Sequence, residues 1–244
     1  MSKNKTILII GAKSDIAIAI AHKFASNGYN LQLAARNFTE LDQISNDIKI
    51  RYNSDVKTYE LNILNYKSFN KFVKSLKPLP AIVVCSVGLL GDQKKDEKNL
   101  DCASLVIRTN FEGPSLLLGE IANFFEKRGY GSIIGISSVA GDRGRASNYI
   151  YGSAKAGFST NLSGLRNRLN KSNVRVLSVL PGFVKTKMTK NIKLPNLISS
   201  NPSKIANLVF RNSSKSKVLY PFPWSMIMFI VKLIPERIFI NLKL

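Results

Sequence analysis

The 244-residue sequence holds a single histidine, His22, and only two cysteines, Cys85 and Cys102. One histidine excludes a histidine-based triad and any multi-histidine metal site. Two cysteines without metal-ligand spacing argue against a disulfide framework or a zinc site. No metal site is expected. Acidic residues are scarce, 15 against 36 Lys and Arg, giving a net charge of +21. That excess points to nucleic acid, an anionic membrane surface or a phosphate-bearing substrate, or simply to solvated lysines. The cations are spread along the chain, so charge alone does not choose. Long apolar runs are missing as well. The opening "MSKNKTILIIGAKSD" has too short an apolar run for a secretory signal and reads as a buried strand, so a cytoplasmic enzyme is the default. The C-terminal run "WSMIMFIVKLI" has 11 residues, whereas a bilayer-spanning helix needs about 20. What is plentiful is apolar residues, 45% of the chain, enough for one large domain with a sizeable core.

Short apolar segments alternate with stretches of helical period. "TILII" (6–10), "NLQLAA" (30–35), "VKTYEL" (56–61), "AIVVCS" (81–86), "GSIIGIS" (131–137) and "VRVLSVL" (174–180) read as strands. Several are apolar throughout, as in a parallel sheet covered on both faces. Helical patterns fall at 15–27, 38–52, 65–76, 97–126 and 149–171. This rhythm predicts a doubly wound α/β sheet whose loops meet along the carboxyl edge, where ligands bind. From residue 181 the rhythm ends in a Lys/Asn/Ser-rich region and an apolar C-terminus. We therefore expect one α/β unit over 1–200 and an extension over 201–244.

The first strand runs into Gly11 and a helix near Asp15. A dinucleotide pyrophosphate needs close backbone approach and free N–H groups at a helix N-terminus. Gly11 supplies the tight turn, Ser14 a phosphate donor, and Ala17 a small contact for helix–sheet packing. Asp15 and Ala17 stand where glycine is common, so an ordinary βα turn is the competing reading. The second strand ends "LAARN", with Arg36 where an acidic residue would accept ribose hydroxyls. Arg36 and Lys13 suit a 2′-phosphate, hence NADP, with NAD as the alternative.

In "YIYGSAKAG" (149–157) only Tyr151 has a lysine four residues on, Lys155. Residues i and i+4 share a helix face. A nearby cation favours a phenolate, so this pairing is expected to lower the Tyr151 pKa and let it exchange a proton with a carbonyl oxygen. Ser138, at the end of "GISSVAG", stands 13 positions earlier (151 − 138) and is available to polarise that carbonyl. The plain alternative is a helix start with incidental polar residues.

These features together resemble the short-chain dehydrogenase/reductase family over residues 5–190. The matching elements are the Gly11 turn, "VCSVG" (84–88), Asn110 in "RTNFEG", Ser138, Tyr151 and Lys155 in register, and "PGFVKTKM" (181–188). The resemblance implies a single-domain, Rossmann-like doubly wound sheet with a C-terminal apolar helical extension. It implies Tyr151 as general acid/base, Ser138 as the substrate-oxygen ligand, Lys155 on the nicotinamide ribose and Asn110 in a water-linked proton relay. Cofactor contacts implied are Gly11, Lys13, Ser14, Asp15, Ile16, Arg36, Asn62, Ile63, Ser86, Gly88, Tyr151, Lys155, Pro181, Val184 and Thr186. It also implies a homodimer or tetramer with the 149–171 helix at an interface. The chain departs from the family at Asp15, Ala17, Asn62, which replaces an adenine-contacting aspartate, and "CSVG".

In the last segment, Pro221, Pro223 and Pro235 bound a short apolar piece, with Trp224 at one end and Lys232, Arg237 and Lys243 toward the other. This suits an interfacial membrane anchor over 221–244, or a helix packed on its own domain. "VGLLGDQ" (87–93), "SSVAGDRGRASNYIYGSAKAG" (137–157) and "IPERIFINLKL" are similar to the decaprenylphosphoryl 2-keto-ribose 2-reductase group. That resemblance implies a polyprenyl-phosphate keto sugar as substrate, a flavin oxidase partner and a place on the inner membrane. Arg143 and Arg145 become candidate phosphate contacts. A soluble reductase of another ketone, such as a 3-oxoacyl thioester, is the alternative. A non-catalytic nucleotide- or nucleic-acid-binding protein is a third reading. The catalytic set opposes it, and no nucleic acid partner is expected, since aromatic–basic RNA motifs are missing.

Overall fold

In the computed structural model, which describes residues 5–190 and 194–242, the six apolar runs become β1 (Thr6–Ile10), β2 (Asn30–Ala35), β3 (Val56–Glu60), β4 (Ile82–Cys85), β5 (Gly131–Ile136) and β6 (Val174–Val179). The continuous apolar character of β1 has a simple cause. Its side chains alternate between two cores, Ile7 and Ile9 on one face, Leu8 and Ile10 on the other, and all are buried. Each fully buried side chain of this size stabilises the fold by about 1.5–3 kcal/mol.

The crossovers supply α1 (Asp15–Ala25), α2 (Asp42–Tyr52), α3 (Phe69–Ser75), α4 (Gln93–Asp96), α5 (Leu100–Ile107), α6 (Gly113–Arg128) and α7 (Tyr149–Leu169). The long helix expected over 97–126 is interrupted by a wide turn at Arg108–Glu112. Pro114 withholds the N–H that would continue the α ladder there.

The expected end of the rhythm at 181 is corrected. Helix α8 (Pro202–Asn212) packs Ile205, Ala206 and Val209 into the core face shared with α1, and β7 (Lys217–Leu219) pairs parallel with β6. The boundary expected at 200 thus falls inside the sheet unit. Strand order is β3-β2-β1-β4-β5-β6-β7, all parallel. The result is a single-domain, Rossmann-like α/β fold. The order reverses between β1 and β4, and a crevice opens there at the carboxyl ends. Beyond β7 come α9 (Trp224–Leu233) and α10 (Glu236–Phe239). Among the described residues no helix is long and apolar enough to cross a membrane.

Candidate active site

A cavity of about 590 Å³ follows the carboxyl edge from the β1–α1 turn, past the ends of β4 and β5, to α9. At its β1 end, Gly11 has φ +77°, and an added Cβ would lie 2.9 Å from the Ser86 carbonyl oxygen. A backbone this close to a neighbouring strand, with φ in the left-handed region, requires glycine. The turn delivers the chain to α1, whose N-cap is Ser14: its Oγ accepts from Ala17 N–H at 3.1 Å and lies 3.0 Å from Ser86 Oγ. Ser14 therefore organises the helix start as well as lining the cavity. Asp15 accepts from Lys187 N–H at 2.6 Å, tying α1 to the loop after β6. The remaining N–H groups of the first turn form an anion site of the kind a pyrophosphate occupies. The cradle at Gly11 and this helix start fit a dinucleotide.

The other expected cofactor contacts divide. Ile16, Ile63, Ser86, Gly88, Pro181, Val184 and Thr186 line the cavity. Lys13 lines it too, but its ammonium pairs with Glu40 at 2.8 Å and holds that exposed carboxyl below its ordinary pKa. Arg36 lines the cavity with no such partner among the described residues, so of the two expected cations it is the one left for a 2′-phosphate. Asn62 is a correction. Its side chain is exposed, does not line the cavity and accepts from Leu64 N–H at 3.0 Å. A short amide bonded to its own loop leaves the cavity wall to Leu61 and Ile63.

The catalytic candidates come together where α7 crosses the turn after β5. Gly152 allows this approach: a Cβ there would lie 2.8 Å from the Ala140 carbonyl oxygen. The α7 N-terminus has no side-chain cap of its own. Instead Gln93 Oε1 accepts from Ile150 N–H at 3.2 Å, a positioning contact the sequence did not disclose. Ser138, Tyr151 and Lys155 all line the cavity. Lys155 is buried, and its ammonium donates to the Val87 and Ile136 carbonyls, each at 3.3 Å. Desolvation lowers its pKa to about 8.

The expected depression of the Tyr151 pKa is also corrected. Desolvation pushes the phenol up to about 12, and a hydrogen bond with Ser138 works against that rise. The Lys155 ammonium sits over the Tyr151 ring, 5.7 Å from its centre. Asn110 is fully buried and does not line the cavity. Its amide donates to Leu89 O (2.7 Å) and Val106 O (2.8 Å), and its oxygen accepts from Leu89 N–H (3.2 Å). Its side chain thus fixes the loop after β4, the loop that presents Val87 O to Lys155.

At the far end the C-terminal segment forms part of the wall. Trp224 is buried, packs edge-to-face on Phe183 with ring centres 5.3 Å apart, donates to Ile198 O at 2.9 Å and lines the cavity. It therefore does not mark a water–lipid boundary. Arg143 is likewise not a cavity cation. It donates to Val231 O (3.3 Å) and Ile234 O (2.7 Å), pairs with Glu236 (2.5 Å) and stacks on Phe239. Arg145 does line the cavity. On its outer side α9 exposes Met226, Phe229, Ile230 and Leu233. Of the cations expected nearby, Lys232 binds Asp142 at 3.0 Å, and Lys243 lies outside the described residues.

Residues 5–196 match the profile of the family described as short chain dehydrogenase. The chain is 32% identical over 224 residues to an uncharacterized oxidoreductase of Mycobacterium tuberculosis, covering 90% of this chain and 89% of that one. It is 28% identical over 220 residues to the 3-oxoacyl-[acyl-carrier-protein] reductase of Aquifex aeolicus, covering 85% and 89%. Among solved structures it is similar to a short-chain dehydrogenase from Sphingobium yanoikuyae in complex with NADPH, with TM-score 0.81, 22% identity and coverage of 95% and 96%.

Proposed function

The chain belongs to the short-chain dehydrogenase family, and from that premise we propose that it is an NADPH-dependent reductase of a keto group on an amphiphilic substrate. The observation that carries this reading is the alignment of Ser138, Tyr151 and Lys155 on one cavity that continues to the Gly11 turn and the α1 N-terminus. The nicotinamide, when bound, supplies the hydride. Ser138 Oγ orients the carbonyl oxygen, and the Tyr151 hydroxyl delivers its proton. Burial suits that task, since it keeps the phenol protonated well above neutral pH. Lys155 gives two donors to carbonyls and keeps a third for a ribose hydroxyl. Gly11, Ile16, Ser86, Gly88, Pro181, Val184 and Thr186 shape the dinucleotide path, and Arg36 takes the 2′-phosphate. Asn110 serves through the loop it holds.

For the substrate we favour a 2-keto sugar carried on a polyprenyl phosphate, with a flavin oxidase supplying the keto group. The apolar wall built from Phe183, Trp224 and Val139 and the exposed outer side of α9 support an amphiphile. The exposed outer side of α9 supports a peripheral hold on the inner membrane through the 221–244 segment, with the enzyme on its cytoplasmic side. A dimer or tetramer is supported by the exposed Leu105, Ile107, Phe111 and Leu116 on the α5–α6 side. A second reading, reduction of a 3-oxoacyl thioester, is favoured by the similarity to the Aquifex aeolicus reductase.

Loss of NADPH absorbance with a polyprenyl-phosphate keto-pentose tests the choice. The expected result is turnover that falls by about 10²- to 10⁴-fold in Tyr151→Phe, the range for removal of a general acid. Faster turnover of a 3-oxoacyl thioester would select the second reading, and full activity of Tyr151→Phe would overturn both.

A further inference from the structure

The cavity is lined by several cations, and all but one of those near the chemistry have work within the protein. Lys155 is held by two carbonyls, and Lys13 by Glu40. Arg36 stands at the end of β2, separated from β5 by three strand intervals in the order β2-β1-β4-β5, which is about 14 Å at the usual strand spacing. Lys187 also lines the cavity, but it is exposed and its backbone N–H is tied to Asp15 at the β1–α1 turn. The partly buried cation left without a partner among the described residues is Arg145. It lies on the segment between Ser138 and Tyr151 and lines the cavity with both. Among the described residues its guanidinium has no hydrogen bond and no ion pair.

The surrounding contacts explain why no internal counter-ion reaches it. The acid on its own loop, Asp142, accepts from Tyr220 at 2.9 Å and pairs with Lys232 at 3.0 Å. The next acid in the C-terminal segment, Glu236, is taken by Arg143. Residues 142 and 143 are thus anchored to α9 and α10, and the chain re-emerges into the cavity at Arg145. Desolvation pulls the Arg145 pKa below its ordinary value, as expected of a guanidinium withdrawn from water without compensation. A partly buried cation without a partner is unfavourable unless a ligand completes it. The planar guanidinium matches the oxygens of a phosphate with two parallel hydrogen bonds.

We infer that Arg145 is the anion-recognising residue of the substrate pocket, selecting ketones whose apolar chain is joined to a phosphate ester. The inference rests on the proposal that this cavity is the site of carbonyl reduction, but it concerns binding and is testable without turnover. Trp224, the only tryptophan in the chain, lines the same cavity and reports occupancy by its fluorescence. Enzyme loaded with NADP⁺, so that the cofactor end is filled, is titrated with dodecyl phosphate and, in parallel, with dodecanol. The wild type is expected to bind dodecyl phosphate the more tightly. Arg145→Gln is expected to lose about 10-fold or more of that affinity, the usual effect of removing a charge-assisted hydrogen bond, with dodecanol and NADP⁺ binding unchanged. Arg145→Lys should recover part of the loss. Equal dodecyl phosphate affinity in wild type and Arg145→Gln would overturn the inference. So would failure of the wild type to bind the probe, or a loss of NADP⁺ affinity in Arg145→Gln. Phosphate-dependent binding without reduction of the polyprenyl substrate would leave Arg145 assigned and remove the proposed substrate. Reduction of that substrate unaffected by Arg145→Gln would do the reverse.

Discussion

The two ends of the cavity are built on opposite rules. At the β1–β4 end, polar side chains satisfy the protein's own backbone: Ser14 caps α1, Asp15 accepts from Lys187 N–H, and Asn110 bonds the loop at Leu89. At the β5–α9 end, Ser138, Arg143 and Trp224 also hold backbone groups, but Arg145 stays without a partner among the described residues and apolar rings form the wall. The first arrangement preorganises a surface for a ligand of fixed shape, as a dinucleotide is. The second leaves recognition to a few side chains, which is where one family member can differ from another.

Three substitutions would break or sharpen this contrast. The largest effect is expected from Lys155→Met, at the junction of the two ends. Reduction should fall by about 10²- to 10⁴-fold, yet the ligand-free protein should gain stability. The native lysine pKa is lowered from 10.5 to about 8, so below pH 8 the fold carries a buried charge at a cost on the order of 3 kcal/mol. As pH rises from about 8 to 10.5, the unfolded chain binds more protons than the native one, and wild-type stability climbs. Thermal melts should therefore show Lys155→Met ahead by about 1–3 kcal/mol at neutral pH, after the loss of two hydrogen bonds, with the gap closing toward pH 10.5. A variant less stable than wild type at pH 7 would refute this account.

Next, Arg36→Glu addresses the cofactor end alone. KM for NADPH should rise about 10- to 100-fold, with a smaller change for NADH and little in kcat. Equal changes for both cofactors would show that Arg36 does not read the 2′-phosphate. The smallest effect is expected on the outer side of α9. Ile230→Ser, at a side chain 61% exposed, should weaken co-sedimentation with phosphatidylglycerol vesicles about 3- to 10-fold. Reduction of a short, water-soluble ketone should be unchanged. Unaltered sedimentation would argue that this side meets protein instead.

The sequence made the sheet legible because buried parallel strands are apolar without interruption, as in "TILII" and "AIVVC". It hid β7 because three edge residues, "KVL", leave no period, and it hid α8 because Lys, Asn and Ser crowd its outer side. Ser138, Tyr151 and Lys155 were legible through register. The sequence put Asn62 at the cofactor site, but whether a short amide faces a cavity or its own turn is decided by local hydrogen bonding. Arg143 and Arg145 could not be told apart, since only the fold shows that Glu236 and two helix-end carbonyls claim the first. Trp224 carried a misleading signal. An aromatic beside an apolar run suits a lipid boundary and a cavity wall equally, and Phe183 and Ile198 O settle it.

The grip of Arg143 on α10 spans 93 positions of sequence. Removing the C-terminal helices is therefore not the excision of a detachable tag. It would free the loop that carries Arg145 and open the Trp224 wall in one step. A truncated protein would confound where the enzyme resides with what it can reduce. Single changes on the outer side of α9 keep those two questions apart.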